Sequence, residues 1–155
     1  MNLEDQIQLV AFRVGSQEFA LEISQVERIL RYERPAPLPK APDFLEGVVT
    51  YEGLPVPVVD LRKRLELPAG LDDQTRLMVL GLEDQRVAII VDEVREVLRV
   101  DSTTIIAPPP IVRGLAAAYI AGLVTRGERT LVLLQASRLL SSTERVALTD
   151  VAVAG

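Results

Sequence analysis

The feature that most constrains this chain is an internal repeat. Residues 9–30 align with residues 77–98 at a constant spacing of 68, and residues 44–65 align with residues 119–140 at a spacing of 75. Self-similarity on this scale indicates a structural unit that is present twice. In the first match, both copies carry identical residues at the positions of Leu9, Gln17, Ala20, Val26 and Leu30.

Each copy reads as five short β-strands. In residues 11–23 and 78–91, alternating apolar and polar residues flank a polar turn, which is typical of a β-hairpin. A third short run follows, VERIL or VREVL, and a second hairpin ends each copy. We therefore predict an all-β protein in which two five-stranded units, about 8–68 and about 75–140, pack into one domain of residues 8–140.

Prolines and a glycine mark the crossings and one strand. The segments 34–42 and 107–110 favour polyproline II geometry and can cross the end of a barrel. Pro55 and Pro57 are two residues apart, so their missing N–H donors leave a single strand edge unable to pair. The prolines therefore protect the strand edge from unwanted pairing. The alternative interpretation is that this face of the strand binds a partner through side chains and not by adding a strand. Gly53 suits a turn that needs positive φ.

A short helix should follow the last strand of each copy. In the first copy Asp60 can cap the helix and Pro68 can end it. In the second copy the segment SRLLSS takes this place. The seven extra residues of the second copy fall in 111–118, which fits a short helix or a plain loop, and residues 141–155 form a tail or a short helix.

Composition excludes several classes of function. With 48% hydrophobic residues, the chain can bury a substantial core. A formal charge of -5 and 4% aromatic residues argue against nucleic-acid binding. Because the chain has no cysteine and no histidine, zinc thiolate sites and Ser-His-Asp catalysis are excluded, and we predict neither a metal nor a cofactor.

The sequence also predicts where the protein resides. The opening MNLEDQIQ is polar and acidic, unlike a secretory signal. The longest apolar stretch, 115–124, is about half of the roughly 20 residues that span a bilayer. We therefore expect a soluble cytoplasmic protein.

Several separated motifs together resemble the CheW-like domain of bacterial chemotaxis coupling proteins. They are the GVV and GLPVPVVDLRKRL runs within 47–65, VERIL before a proline crossing, RVAIIVDEVREVL, the PPP element, and YIAGLV followed by LVLL. The match runs in one order from about Gln8 to Leu140. It implies two five-stranded Src-homology-3-like β-barrel subdomains packed around a shared hydrophobic core, with short helices.

The resemblance further implies an adaptor without catalytic activity. Its partners would be the cytoplasmic domain of a methyl-accepting chemoreceptor and the regulatory domain of a CheA-type histidine kinase, with self-association or array assembly as a further option. The protein would then be recruited to membrane receptors or to soluble receptor clusters.

By resemblance, the third strand and the turn at 50–53 line the docking surfaces. The partner-binding residues would be Val26, Arg28, Gly47, Val48, Thr50, Tyr51 and Glu52. Strict alternation puts Val26 and Arg28 on one face of the strand and Ile29 on the other. Val26 beside a charge suggests partial exposure, and burial in the core fits the same pattern equally well.

Two charges are exchanged relative to the family. Arg28 stands where members usually carry an acidic residue, and Glu52 stands where an Asn-Leu-Arg-Gly turn supplies an arginine. If the two positions face each other, the exchange keeps an ion pair and inverts the local potential. An exposed pair contributes only about 0–1 kcal/mol to stability, so the exchange should affect recognition more than folding. We expect a partner with reversed charges here, the alternative being drift at solvated positions.

Two other functions remain open. One is a divergent CheW-like protein that binds receptor but has lost or altered kinase coupling, which the exchange of Arg28 and Glu52 would explain. The other is a small barrel enzyme that uses carboxylates such as Asp60 with Arg62. That alternative has no supporting motif, and it requires detectable turnover or a buried ionised pair.

Overall fold

The described part of the chain consists mostly of β-strands, as the sequence predicts. The computed structural model describes residues 5–67, 70–82, 85–107, 119–141 and 144. The strands are β1 (Gln6–Val14), β2 (Gln17–Glu22), β3 (Val26–Arg31), β4 (Leu45–Tyr51), β5 (Leu54–Asp60), β6 (Arg76–Gly81), β7 (Arg86–Val91), β8 (Glu93–Asp101), β9 (Ile120–Arg126) and β10 (Arg129–Leu134). One short helix, α1 (Leu61–Arg64), follows β5, and 3-10 turns cover Ile23–Gln25, Ser102–Thr104 and Ala136–Arg138. In the described ranges, no helix is long and apolar enough to cross a membrane.

The strands form two five-stranded sheets, and each sheet takes strands from both copies of the repeat. Sheet A has the order β8-β1-β2-β10-β9, and sheet B has the order β3-β6-β7-β5-β4. Exchanging each strand for its counterpart in the other copy converts one order into the other. The halves 8–68 and 75–140 therefore do not correspond to the two sheets. The β1–β2 hairpin finds its neighbours β8 and β10 in the second copy, because alternation fixes the buried face of a strand but not its partner.

Three apolar clusters fill the fold. The largest lies between the sheets and contains fully buried side chains from both, among them Phe12, Leu21, Met78 and Leu80. Each smaller cluster is drawn from the strands of one sheet, Leu9, Leu98 and Leu131 in sheet A and Val58, Leu77 and Ile90 in sheet B. Each sheet therefore packs a small apolar cluster on one face and the shared core on the other. The shared core expected from the resemblance is confirmed.

The two prolines of β5 occupy a part of the strand that is paired on one side. Pro55 and Pro57 lie opposite Thr50 and Val48 of β4. A residue without an N–H cannot belong to a hydrogen-bonded pair of an antiparallel ladder, so the missing donors face away from β4. On that side, among the pairings of the described residues, β5 pairs with β7 from Val58 onward. An internal strand therefore tolerates the two prolines.

The proline-rich crossing covers the outer edge of sheet B. The Ala36 N–H donates to the Val48 carbonyl at 2.8 Å, and the Val48 N–H donates to the Ala36 carbonyl at 2.9 Å. Gly47 has a φ of 147°, and a Cβ there would lie 2.3 Å from the Ala36 oxygen. Glycine is therefore required by both the close approach and the backbone angle. Ile106 and Leu123 repeat the exchange of hydrogen bonds at the edge of sheet A.

The helix that follows β5 begins as the sequence predicts. The Asp60 carboxylate accepts a hydrogen bond from the Arg62 backbone N–H at 2.9 Å, which caps α1. The second predicted helix is a 3-10 turn at Ala136–Arg138. Pro68 and residues 111–118 lie outside the described residues.

The beginning of the C-terminal tail is held by a capping box. The Ser141 N–H donates to Glu144 Oε1 at 2.9 Å, and the Glu144 N–H donates to Ser141 Oγ at 3.1 Å. Arg64 of α1 donates two hydrogen bonds to the Glu144 carboxylate, at 3.0 and 2.8 Å. Residues 145–155 lie outside the described residues.

Candidate docking surface

The third strand does not alternate strictly, because a β-bulge interrupts its pairing with β6. Val26 lies opposite Leu80 and Arg28 lies opposite Val79, which makes Glu27 the extra residue. Directly opposite residues of an antiparallel pair share a face. Val26 therefore lies with Leu80 on the side of the shared core, and Arg28 lies with Val79 on the other side. The prediction that Val26 and Arg28 share a face is wrong.

The turn between β4 and β5 places neighbouring side chains in different environments. Glu52 and Gly53 have φ values of 53° and 77°, as in the two-residue turns that favour β-hairpins. Thr50 is exposed, whereas Tyr51 is 9% exposed and belongs to the inner cluster of sheet B. Leu54 is 58% exposed. The turn therefore presents a carboxylate and an apolar side chain to solvent beside a buried ring.

Arg86 at the start of β7 joins this turn to the bulge of β3. Its Nε lies 2.8 Å from Glu27 Oε2, and its Nη2 lies 3.5 Å from Glu52 Oε2. Its guanidinium carbon lies 5.3 Å from the centre of the Tyr51 ring, a cation–π distance. The proposed ion pair between Arg28 and Glu52 is not formed: Glu52 pairs with Arg86, and Arg28 has no ion pair within the described residues.

Gly47 and Val48 have a different environment from the turn. They lie nearer the start of β4, where the backbone of Val48 is bonded to the proline-rich crossing. Gly47 is buried and Val48 is half-buried. Among the predicted partner-binding residues, the structure therefore brings Tyr51 and Glu52 together through Arg86 and places Gly47 and Val48 against the crossing.

Sequence reasoning missed Glu27 and Arg86. Glu27 is the extra residue of a bulge that strict alternation does not anticipate, and Arg86 belongs to the other copy of the repeat. A comparison of charges between the two copies would have found both, because each residue has a counterpart of opposite sign 68 residues away.

A buried ion-pair network lies at the cap of α1. Arg62 donates from Nε and Nη2 to the two oxygens of Asp60, at 2.9 and 3.0 Å, and from Nη1 to Asp92 Oδ1 at 3.2 Å and to the Gly70 carbonyl. The hydrogen bond with Asp60 raises the pKa of Arg62 above its ordinary value. The Gly15 N–H donates to the remaining Asp92 oxygen at 2.6 Å. The buried pair that an enzyme would require is present, but all four carboxylate oxygens already accept hydrogen bonds, so the network is suited to a structural role.

The arrangement of these sheets matches a known family. The family model for the CheW-like domain matches residues 8–144. The chain belongs to the CheW-like family. The crystal structure of the scaffolding protein TtCheW from Thermoanaerobacter tengcongensis aligns with this CheW-like chain with a TM-score of 0.76 and 26% identity, covering 83% of this chain and 88% of that one. The predicted fold class is thereby confirmed.

Relatives of this CheW-like chain are chemotaxis proteins. The chemotaxis protein CheW of Klebsiella aerogenes is 35% identical over 144 residues, which cover 92% of this chain and 86% of that protein. The chemotaxis protein CheW of Treponema pallidum is 30% identical over 146 residues, covering 91% of this chain and 86% of that protein. The similarity therefore extends over most of both chains.

Proposed function

We propose that this protein is a non-catalytic chemotaxis adaptor. It couples the cytoplasmic tips of chemoreceptors to the regulatory domain of a CheA-type histidine kinase, and it acts in the cytoplasm at receptor clusters. The observation that carries the proposal is the CheW-like match over residues 8–144, together with the fold shared with a scaffolding protein.

The surfaces of the described residues support binding more than chemistry. The cluster around Arg86 combines half-exposed charges with the exposed Leu54, which suits a protein contact. Asp60 and Arg62, the pair considered for catalysis, are about 5% exposed and bind each other. A substrate would have to break this pair to reach either group.

A second candidate is an adaptor that binds receptor and has lost or altered kinase coupling. It is favoured by the side chain at position 52, where the family motif has an arginine and this chain has a glutamate that forms an ion pair with Arg86. Reversing a charge at an interface changes which partners can bind, because like charges brought together destabilise the complex.

A pairwise binding experiment tests both candidates. The purified protein is titrated separately with its cognate receptor cytoplasmic domain and with the regulatory domain of its cognate kinase, by isothermal titration calorimetry. Binding to both domains is expected from the adaptor. Binding to the receptor alone would select the second candidate, and binding to neither would refute the family role for this chain. Hydrolysis assays on the same sample test the enzyme alternative, which detectable turnover would support.

A further inference from the structure

Three positions of the repeat carry opposite charges in the two copies. Glu18, Glu27 and Arg28 of the first copy correspond, at a spacing of 68 residues, to Arg86, Arg95 and Glu96 of the second. The bulges correspond as well, because the pairing of β8 with β1 shifts between Val94 and Glu96, as that of β3 with β6 shifts between Val26 and Arg28. The same backbone feature therefore appears twice with its charges inverted.

Beside each bulge, one charged side chain forms ion pairs with two side chains of opposite charge. We call each such group a corner. The Arg86 corner consists of Arg86 with Glu27 and Glu52 at 2.8 and 3.5 Å. The Glu18 corner is its counterpart on sheet A, and its members are Glu18, Arg95 and Arg129.

In the Glu18 corner, Arg129 donates two hydrogen bonds of 2.9 Å to the Glu18 carboxylate, and Arg95 Nη1 lies 3.3 Å from it. The hydrogen bonds from Arg129 lower the pKa of Glu18, which keeps its carboxylate ionised. A further Arg129 hydrogen bond of 2.7 Å goes to Glu96.

The two corners differ in what they offer to solvent. At the Arg86 corner, the side chains of Glu27 and Glu52 are 35% and 55% exposed, and each has one ion-pair contact, to the same arginine. A carboxylate can accept about four hydrogen bonds, so both can take further donors. Beside them, Leu54 is 58% exposed, whereas its counterpart at the spacing of 75 is Arg129, which is engaged with two carboxylates. The Arg86 corner therefore places two carboxylates with spare acceptors beside an exposed leucine, whereas an arginine takes the position of that leucine at the Glu18 corner.

We propose that the Arg86 corner is a docking site for a protein segment that presents an arginine or lysine beside an apolar side chain. The cation binds between Glu27 and Glu52, and the apolar side chain packs on Leu54. Arg28 lies next to Glu27 on β3, so an acidic residue of the same segment pairs with it. This assignment rests on the proposed adaptor function and names the chemistry of one of its two partners.

The inverted charges explain how a duplicated fold distinguishes two partners. Duplication alone would give two similar corners, and a segment that binds one would also bind the other. At the Glu18 corner the same segment brings its cation towards Arg95 and Arg129, and its apolar side chain meets a guanidinium instead of Leu54. Specificity then comes from repulsion at the wrong corner as much as from attraction at the correct one.

Matched charge inversions test the proposal. Glu27→Arg with Glu52→Arg inverts the Arg86 corner, and Arg95→Glu with Arg129→Glu inverts the Glu18 corner as the control. Each variant and the wild type are titrated with the receptor cytoplasmic domain and with the kinase regulatory domain, at low and at physiological salt. Glu27→Gln with Glu52→Gln removes the charges without creating repulsion, and melting curves verify folding of every variant.

We expect the first inversion to weaken the binding of one of the two domains by about tenfold or more. The control inversion should leave the affinity for that domain unchanged. The glutamine variant should give an intermediate loss and a smaller salt dependence. The assignment would be overturned, and the adaptor function left intact, if the first inversion weakened the binding of neither domain. An equal loss of affinity from both inversions would have the same meaning. A change confined to self-association, measured by light scattering, would also overturn it, by making a second copy the occupant. Failure of the wild type to bind either domain would instead refute the proposed function.

Discussion

Replacement of Arg62 by leucine should destabilise the whole domain. Arg62 follows the last strand of the first copy, and it joins Asp60 of that copy to Asp92 of the second. In the variant, the cap of α1 remains, because Asp60 binds the backbone N–H of position 62. The side-chain bonds to both carboxylates and to the Gly70 carbonyl are lost.

The magnitude follows from the burial of the pair. Both Asp60 and Arg62 are about 5% exposed, so the leucine would leave Asp60 as a buried charge without the cation that is bonded to it. Removing one partner of a buried ion pair typically costs about 3–5 kcal/mol. Domains of this kind are stable by about 5–15 kcal/mol, so roughly a fifth or more of the total is at stake.

Urea unfolding followed by circular dichroism measures this loss. With a slope of about 2 kcal/mol/M, a loss of 3–5 kcal/mol lowers the midpoint by roughly 1.5–2.5 M. The control is Asp60→Asn with Arg62→Met, which removes both charges and keeps a capping side chain, and which should lose no more than about 1–2 kcal/mol. If the leucine variant loses less than about 1 kcal/mol, the typical value of an exposed pair, the reasoning from burial is refuted.

Three further predictions follow from the strand exchange, the crossing and the capping box. Fragments 1–74 and 75–155 should each be unfolded alone and should regain the native circular dichroism spectrum when mixed, since both sheets need strands of both copies; an ordered isolated fragment would contradict this. Gly47→Ala should cost about 3 kcal/mol or more of stability, because the new Cβ would clash with the Ala36 oxygen and the backbone angle suits only glycine. Gly53→Ala should cost about 1 kcal/mol, because nothing lies within 4 Å of a Cβ there. Equal losses in urea unfolding would argue against the crossing contact. Burial raises the pKa of Glu144, but hydrogen bonds, above all from its arginine partner, hold it below the ordinary 4.5. The stabilisation of about 1 kcal/mol relative to Glu144→Gln should therefore be present at pH 7 and should disappear as the pH falls below 4.5. A difference independent of pH would exclude the ion pair as its source.

The strands could be predicted from the sequence because their signals are local. Alternation in 78–91 and the polar turn within it are sufficient to place β6 and β7, and the cap at Asp60 is sufficient to place α1. The exchange of strands between copies was not predictable in this way. A sheet built within one copy and a sheet built across two copies bury the same faces of the same residues, so the apolar pattern does not distinguish them.

The candidate site was predicted less well for the same physical reason. Glu52 was identified by resemblance, from its position in the family's Asn-Leu-Arg-Gly turn, but its partner Arg86 lies in the other copy, and no local pattern links the two. Val26 and Arg28 were assigned to one face because strict alternation has no place for a bulged residue. One inserted residue reverses every later side chain of a strand, so a bulge changes which residues meet a partner.

The exchange of strands also fixes the position of the Arg86 corner relative to the Glu18 corner. The Arg86 corner takes Glu27 and Glu52 from the first copy and Arg86 from the second. The Glu18 corner takes Glu18 from the first copy and Arg95 with its neighbours from the second. Each corner therefore exists only while the two copies are folded together on their shared core, and separation of the copies would dissolve both corners at once. Two independent barrels on a linker could each keep a charged corner, but the distance between the two corners would vary. We infer that the exchange makes both corners parts of one cooperative unit, so a partner bound at one corner is held in a defined position relative to the other.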